Sequence, residues 1–153
     1  MLTDSQINEL LSEKKLLAPD YQEQLRLKLK RGHQERELEI IGEKDSGFII
    51  ILRLNQINPL DFSAILAYSI PRTTTHFRLR RYNGKHEHTN KIEQQTFYNF
   101  HIHTATERYQ LLGQEEDAFA EPTDRYNDLS GAIKCLVEDC GFIVPPGTQL
   151  ELI

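Results

Sequence analysis

Apolar and polar residues change rhythm several times along the chain, and each rhythm predicts an element. In "LTDSQINELLSEKK", Ile7, Leu10 and Leu11 recur at helical spacing behind the capping candidates Thr3, Asp4 and Ser5. This predicts an opening helix within residues 1–18, closed by Pro19 and Asp20. "QLRLKLKRGHQERELEI" then alternates, with Leu25, Leu27 and Leu29 against Arg26, Lys28 and Lys30. Gly32 interrupts the alternation and Leu38 and Ile40 resume it, the pattern of a β-hairpin with one wet face. "GFIIILRL" at 47–54 is unbroken and apolar, as a central strand is. "SAILAYSI" at 63–70 also suits a helical turn, but it stands between strands and ends at Pro71, so it reads as strand.

Alternation returns in "THFRLRRY" at 75–82, with Phe77 and Leu79 inward and His76, Arg78, Arg80 and Tyr82 outward. In "TFYNFHIHT" at 96–104 it sets Tyr98, Phe100 and Ile102 on the core side and Phe97, Asn99, His101 and His103 on the other. "RYQLL" at 108–112 predicts one more short strand. "PTDRYNDLSGAIKCLVEDCG" predicts a closing helix over 123–141, capped by Thr123 or Asp124 and stopped by Gly141. Residues 142–153 read as a tail with a short strand-like end. The expectation is one α+β domain over 1–153. A curved antiparallel meander of about six or seven strands fills 22–112, with an N-terminal helix and a C-terminal helix packed on the sheet.

Composition adds limits. The 153 residues are 39% hydrophobic and 27% charged, enough apolar material for a continuous core. Cys135 and Cys140 point to different sides of the predicted helix and no other thiol exists, which excludes a disulfide framework and a four-cysteine zinc site. The polar N-terminus lacks the apolar run of a signal peptide or a membrane span, so a cytoplasmic protein with no membrane partner is expected. The pattern sets no oligomeric state.

Charge is segregated. The net charge of −5 argues against a generic nucleic-acid coat protein. Yet residues 72–91 hold Arg72, Arg78, Arg80, Arg81, Lys85 and Lys91 against Glu87 alone, which reads as a local anion site. Residues 107–128 carry seven carboxylates against two arginines and read as a solvated acidic loop.

The histidines fall beside the basic run: His86, His88, His101 and His103 lie within eighteen residues. Pairing the strands at 75–82 and 96–104 would bring His76, Arg78, Arg80, His101 and His103 to one face. The long loop 83–95 could then fold its "GKHEHTN" over them. Three chemistries suit this set. The leading one is RNA phosphodiester cleavage without metal or cofactor. Here His101, His103 and His88 move protons, Arg78, Arg80, Arg81 and Lys85 hold the phosphate, and Tyr82 or Tyr98 stacks or donates. The second is a binding module for a protein or nucleic acid, and the third a metal site in which His86, His88 or Glu87 joins His101 and His103. Against all three stands the plain alternative that a solvated strand face needs polar residues.

"LTDSQINELL" at 2–11, "IILRL" at 50–54, "HTN" at 88–90, "HIH" at 101–103 and a closing helix that ends "CGF" form a layout spanning most of the chain. This layout resembles a group of small prokaryotic proteins of similar length, some of which are similar to toxins of toxin–antitoxin pairs. The resemblance implies an RNA-cleaving toxin with a cognate antitoxin as partner, with His88, His101 and His103 as the carried-over residues and Arg78 and Arg80 as phosphate binders.

Overall fold

Thr3 starts the first helix by a reciprocal cap: its hydroxyl accepts from the Gln6 amide, and the Gln6 side chain accepts from the Thr3 amide. A computed structural model describes residues 1–146, and from that cap onward the order is α1 (Asp4–Ser12), β1 (Lys15–Leu16), α2 (Tyr21–Gln24), β2 (Lys28–Leu29) and β3 (His33–Ile41). β4 (Gly47–Asn55), β5 (Phe62–Ser69), β6 (His76–Lys85), β7 (His88–Asn90), β8 (Gln95–Phe97) and β9 (Phe100–Thr104) follow. The chain continues through α3 (Glu107–Leu111), β10 (Phe119–Pro122), α4 (Leu129–Asp139) and β11 (Phe142–Ile143).

Seven strands form one antiparallel sheet in the order β10-β9-β6-β5-β4-β3-β2. β7 and β8 make a separate hairpin, and β1 pairs parallel with β11. The fold is α+β, with helices near both ends of the described chain. One sheet face builds the main core: Phe48, Ile50, Leu52, Ala64 and Leu66 pack with Leu129, Ile133 and Leu136 of α4 and Ile7 and Leu11 of α1. Each large apolar side chain buried there contributes roughly 1.5–3 kcal/mol. The opposite face carries a smaller cluster of Ile49, Ile51, Ile65 and Ala67.

Several expectations from the pattern are corrected. The leading strand of the first hairpin shrinks to Lys28–Leu29, because residues 21–24 turn into α2 and bury Tyr21 and Leu25 instead. "RYQLL" is helical: the Thr106 hydroxyl accepts from the Tyr109 amide, Tyr109 is buried, and Leu111 and Leu112 are left exposed. The acidic segment supplies a strand, β10, which sets Ala120 opposite His103 and forms the sheet edge. The last helix begins after Asp128, whose carboxylate accepts from the Gly131 amide. Thr123 is still bound to the sheet through the Phe100 carbonyl. The run 96–104 breaks at Tyr98 and Asn99, leaving Tyr98 61% exposed rather than in the core. β11 opens the expected tail, and a strand-like end within 147–153 lies outside the described residues.

A bulge changes which side chains of β6 share a face. Ala67 pairs with Arg78 but Leu66 pairs with Arg80, so Leu79 is an extra residue. Tyr82, opposite Ala64, therefore belongs to the helix-side core, and Arg80, opposite Leu66, shares its face. Arg78 and Arg81 face the other way, beside Ala67 and Ile65.

Lys15 is fully buried. Its ammonium donates to the carbonyls of Leu10 (2.9 Å), Leu11 (3.2 Å), Glu13 (2.8 Å) and Cys140 (2.7 Å), and lies 4.3 Å from the Phe48 ring centroid. It thus satisfies carbonyls at the C-terminal ends of both α1 and α4. Burial pulls its pKa down to about 8.

Candidate metal centre

His101 and His103 are two apart on β9, so they share one face, while Ile102 between them pairs with Tyr82 on the helix side. Their partners on β6 are Asn83 and Arg81. Both rings are buried, His101 at 0% and His103 at 3% exposure, although alternation marked this face as polar.

The segment after β6 provides the cover. At Gly84 the backbone passes so close to Leu60 that any Cβ would collide with the Leu60 carbonyl, which also accepts from the Lys85 amide. The chain then bends through Lys85–Glu87 and lays β7 beside β9. The ring centroid of His88 stands 4.8 Å from that of His103 and 5.3 Å from that of His101, and His101 and His103 are 5.0 Å apart. His86 places its ring edge-on to His101 at 4.7 Å. "KHEH" therefore closes over "HIH", bringing together four histidines from two His-x-His pairs.

Hydrogen bonds fix the tautomers. His101 Nδ1 donates to the Asn99 carbonyl (2.8 Å) and His103 Nδ1 to the Asp117 carbonyl (2.7 Å), since a carbonyl can only accept. That leaves Nε2 of each ring with a lone pair, and both Nε2 atoms are buried without a hydrogen-bond partner. His88 Nε2 donates to Asn90 Oδ1 at 2.8 Å. The orientation of the Asn90 amide is set by Ala120, whose carbonyl accepts from Nδ2 (2.7 Å) and whose amide donates to Oδ1 (2.9 Å). Among the described residues His88, His101 and His103 each offer a nitrogen within 4.8 Å of the other two. Burial pulls the His101 pKa to about 4 and, with Arg81 assisting, that of His103 to about 2, so both rings are in the neutral form that ligates metal. A metal-ligating histidine characteristically donates its other ring N–H to a carbonyl or carboxylate, as these rings do.

The arginines are already engaged. Arg81 Nε donates to Asp117 Oδ2 at 3.0 Å, with a second nitrogen 3.4 Å from His103 Nδ1. Arg78 pairs with Glu115 (2.6 Å), Asp117 (3.3 Å) and Glu116 (3.5 Å). The segment read as a solvated acidic loop thus neutralises the basic strand of its own chain. Burial pushes the Asp117 carboxyl up, against the pull of Arg81 and Arg78.

Of the residues expected at the site, His88, His101 and His103 converge, with Arg81 beside them and Arg78 sharing the Asp117 carboxylate. Arg80 and Tyr82 are corrected to the opposite face by the Leu79 bulge. Arg80 lies 4.0 Å from Asp139, the carboxylate that also receives the Tyr82 hydroxyl (2.7 Å) and two bonds from Arg125 (both 2.9 Å). Lys85 is exposed at the end of β6, its ammonium 6.0 Å from the Phe100 ring centroid. Asn90 and Asp117 were missed. Asn90 stood in the quoted "HTN", and for Asp117 the opposite charges of 72–91 and 107–128 were a signal that the two segments pair.

No protein-family model, curated protein or solved structure matches the chain. Among the described residues no helix is long and apolar enough to cross a membrane.

Proposed function

We propose that this protein binds one divalent first-row transition metal, of the zinc class, through the imidazoles of His88, His101 and His103. One observation carries the reading: three imidazoles converge, each with its other nitrogen tied to an oxygen acceptor, leaving one lone pair per ring. Rings that ligate one tetrahedral ion at about 2.0–2.1 Å hold their centroids about 5 Å apart, the spacing these rings have. One nitrogen of each ring lies within 4.8 Å of the others, and ring rotations would have to close that spacing to the roughly 3.3 Å edge of such a tetrahedron. Neutral imidazole suits zinc, copper, nickel and iron, and with no thiolate in the set the softest ions are disfavoured.

The test is a titration of the chelator-stripped protein with Zn²⁺, followed by calorimetry and thermal unfolding. One ion per chain is expected. Free metal at 100 times Kd adds about 2.7 kcal/mol of native-state stability, which raises Tm by roughly 5–11 °C at this chain length. Loss of both effects in His101→Ala and His103→Ala supports the site, and no stoichiometric binding by the wild type overturns it.

RNA cleavage by the same histidines, in a toxin restrained by an antitoxin, is the second reading. Its supporting observation is the Arg81 guanidinium beside His103. It is the weaker of the two, because Arg78 and Arg81 are held by Glu115, Glu116 and Asp117 and the two buried rings are neutral. Growth arrest and RNA loss on expression, both abolished by His101→Ala, would raise it above the metal reading.

A further inference from the structure

Three imidazoles leave a tetrahedral ion one ligand short, and the missing vertex decides whether the metal can meet a substrate. We propose that His86 is the fourth ligand, so that the ion is enclosed by four histidine nitrogens and has no exchangeable position; this rests on the metal reading above.

Ring spacing favours His86. The His86 ring already stands 4.7 Å from the ring of His101, about the distance that separates the other three rings from one another. His86 sits in the bend after β6 and His88 opens β7, so both come from the segment that covers the His101–His103 pair of β9, His86 against His101 and His88 against both. What remains is a turn of the His86 ring about its own side-chain bonds toward His88 and His103.

His86 is exposed, and its ring makes no hydrogen bond among the described residues. The three rings of the centre are instead buried or half-buried and tied by hydrogen bonds. A preset trio with one unrestrained neighbour is what an ion needs in order to enter and then be enclosed.

Other candidates for the vertex are engaged or inert. Phe97 packs 5.6 Å from His101 and 5.5 Å from His88 but offers no donor atom. Glu87 accepts from the Tyr98 hydroxyl at 3.4 Å on the exposed side of the bend. Asp117 is turned to Arg81 and Arg78.

A closed four-nitrogen sphere gives the ion a mechanical task. β9 and the flap 86–97 would be clasped by the metal, and the coordinated water that metal-assisted hydrolysis requires would be absent.

Cobalt(II) makes the vertex visible. The protein is loaded with one Co²⁺ per chain, its visible spectrum is recorded, and azide is titrated in. Wild type is expected to show an intense tetrahedral spectrum indifferent to azide. His86→Ala, an exposed substitution whose folding is checked by circular dichroism, is expected to bind Co²⁺ at least about 10-fold more weakly, since loss of even an outer-shell partner of a ligand costs that much. Its spectrum should respond to azide, and free imidazole should restore the wild-type spectrum. X-ray absorption on the Zn²⁺ forms should count four imidazoles in wild type and three in the variant. If wild type binds Co²⁺ and responds to azide as His86→Ala does, the fourth-ligand assignment is wrong and the centre is open. If no form binds metal, the tri-histidine reading itself falls, a result separate from the first.

Discussion

Replacing Asn90 tests how the flap is held and how the centre is oriented in one experiment. Asn90 is buried and makes three hydrogen bonds: from His88 Nε2 (2.8 Å), from the Ala120 amide (2.9 Å) and to the Ala120 carbonyl (2.7 Å). Ala120 is itself fully buried on the sheet-edge strand. Asn90→Ala removes three bonds worth about 1 kcal/mol each and strands two backbone groups, so the cost is roughly 3–5 kcal/mol. At about 2–4 °C per kcal/mol the metal-free protein should lose some 6–20 °C in Tm. The His88 ring also loses its tether, and metal affinity should fall about 10–100-fold. Asn90→Asp separates the two effects. Its carboxylate still accepts from His88 and from the Ala120 amide, so metal affinity is kept. It cannot donate to the Ala120 carbonyl, so stability still falls. Thermal unfolding of the stripped protein and Zn²⁺ calorimetry read the two quantities independently. Full stability together with full affinity in Asn90→Ala would falsify the account of Asn90 as the tether.

Other outcomes follow from the same geometry. Lys15→Met strips four carbonyls, three of them in buried bonds, of their shared donor and should cost about 3–5 kcal/mol in chemical denaturation; a loss under 1 kcal/mol would sink the capping role. Folded Lys15 releases its proton near pH 8 and the unfolded lysine near 10.5. The unfolded chain therefore binds more protons in that window, and stability relative to Lys15→Met should rise as pH climbs from 8 toward 10. Tyr82→Phe breaks the 2.7 Å bond to Asp139 on the helix side and should cost about 1–2 kcal/mol. Because the Leu79 bulge puts Tyr82 on the face away from the histidines, zinc affinity should not change, and a tenfold loss would contradict that placement. Gly84→Ala drives a Cβ into the Leu60 carbonyl and should lower both stability and metal affinity by displacing the bend before His88.

The histidine centre was legible in part because period-two alternation is local. His101 and His103 must share a face of any strand that contains them, and a long segment rich in histidine must lie somewhere close. Burial of that face was not legible, because it depends on the flap, and the flap is held through Asn90 to β10, a strand hidden in an acidic segment with no apolar alternation. The arginines were misassigned for a similar reason. Strict alternation from Phe77 groups Arg78 with Arg80, whereas one extra residue at Leu79 groups Arg78 with Arg81. A bulge is a tertiary accommodation between two strands and leaves little trace in either sequence alone. Nothing in the local pattern marks Lys15, and only the meeting of two helix ends makes it a core residue.

That meeting bears on how the chain folds in time. β1 pairs with β11, and the Lys15 ammonium reaches the Cys140 carbonyl, a partner 125 residues away. During synthesis α1 and β1 emerge first, yet this seam cannot close until almost the whole described chain has left the ribosome. The sheet between them is itself a meander of sequential strands, which can assemble in order. Closing so long a loop costs entropy that only late contacts repay, so docking of the opening helix belongs to the last stage of folding. Substitutions at Lys15 should therefore act chiefly on the unfolding rate, and those at the β4–β5 core on the folding rate.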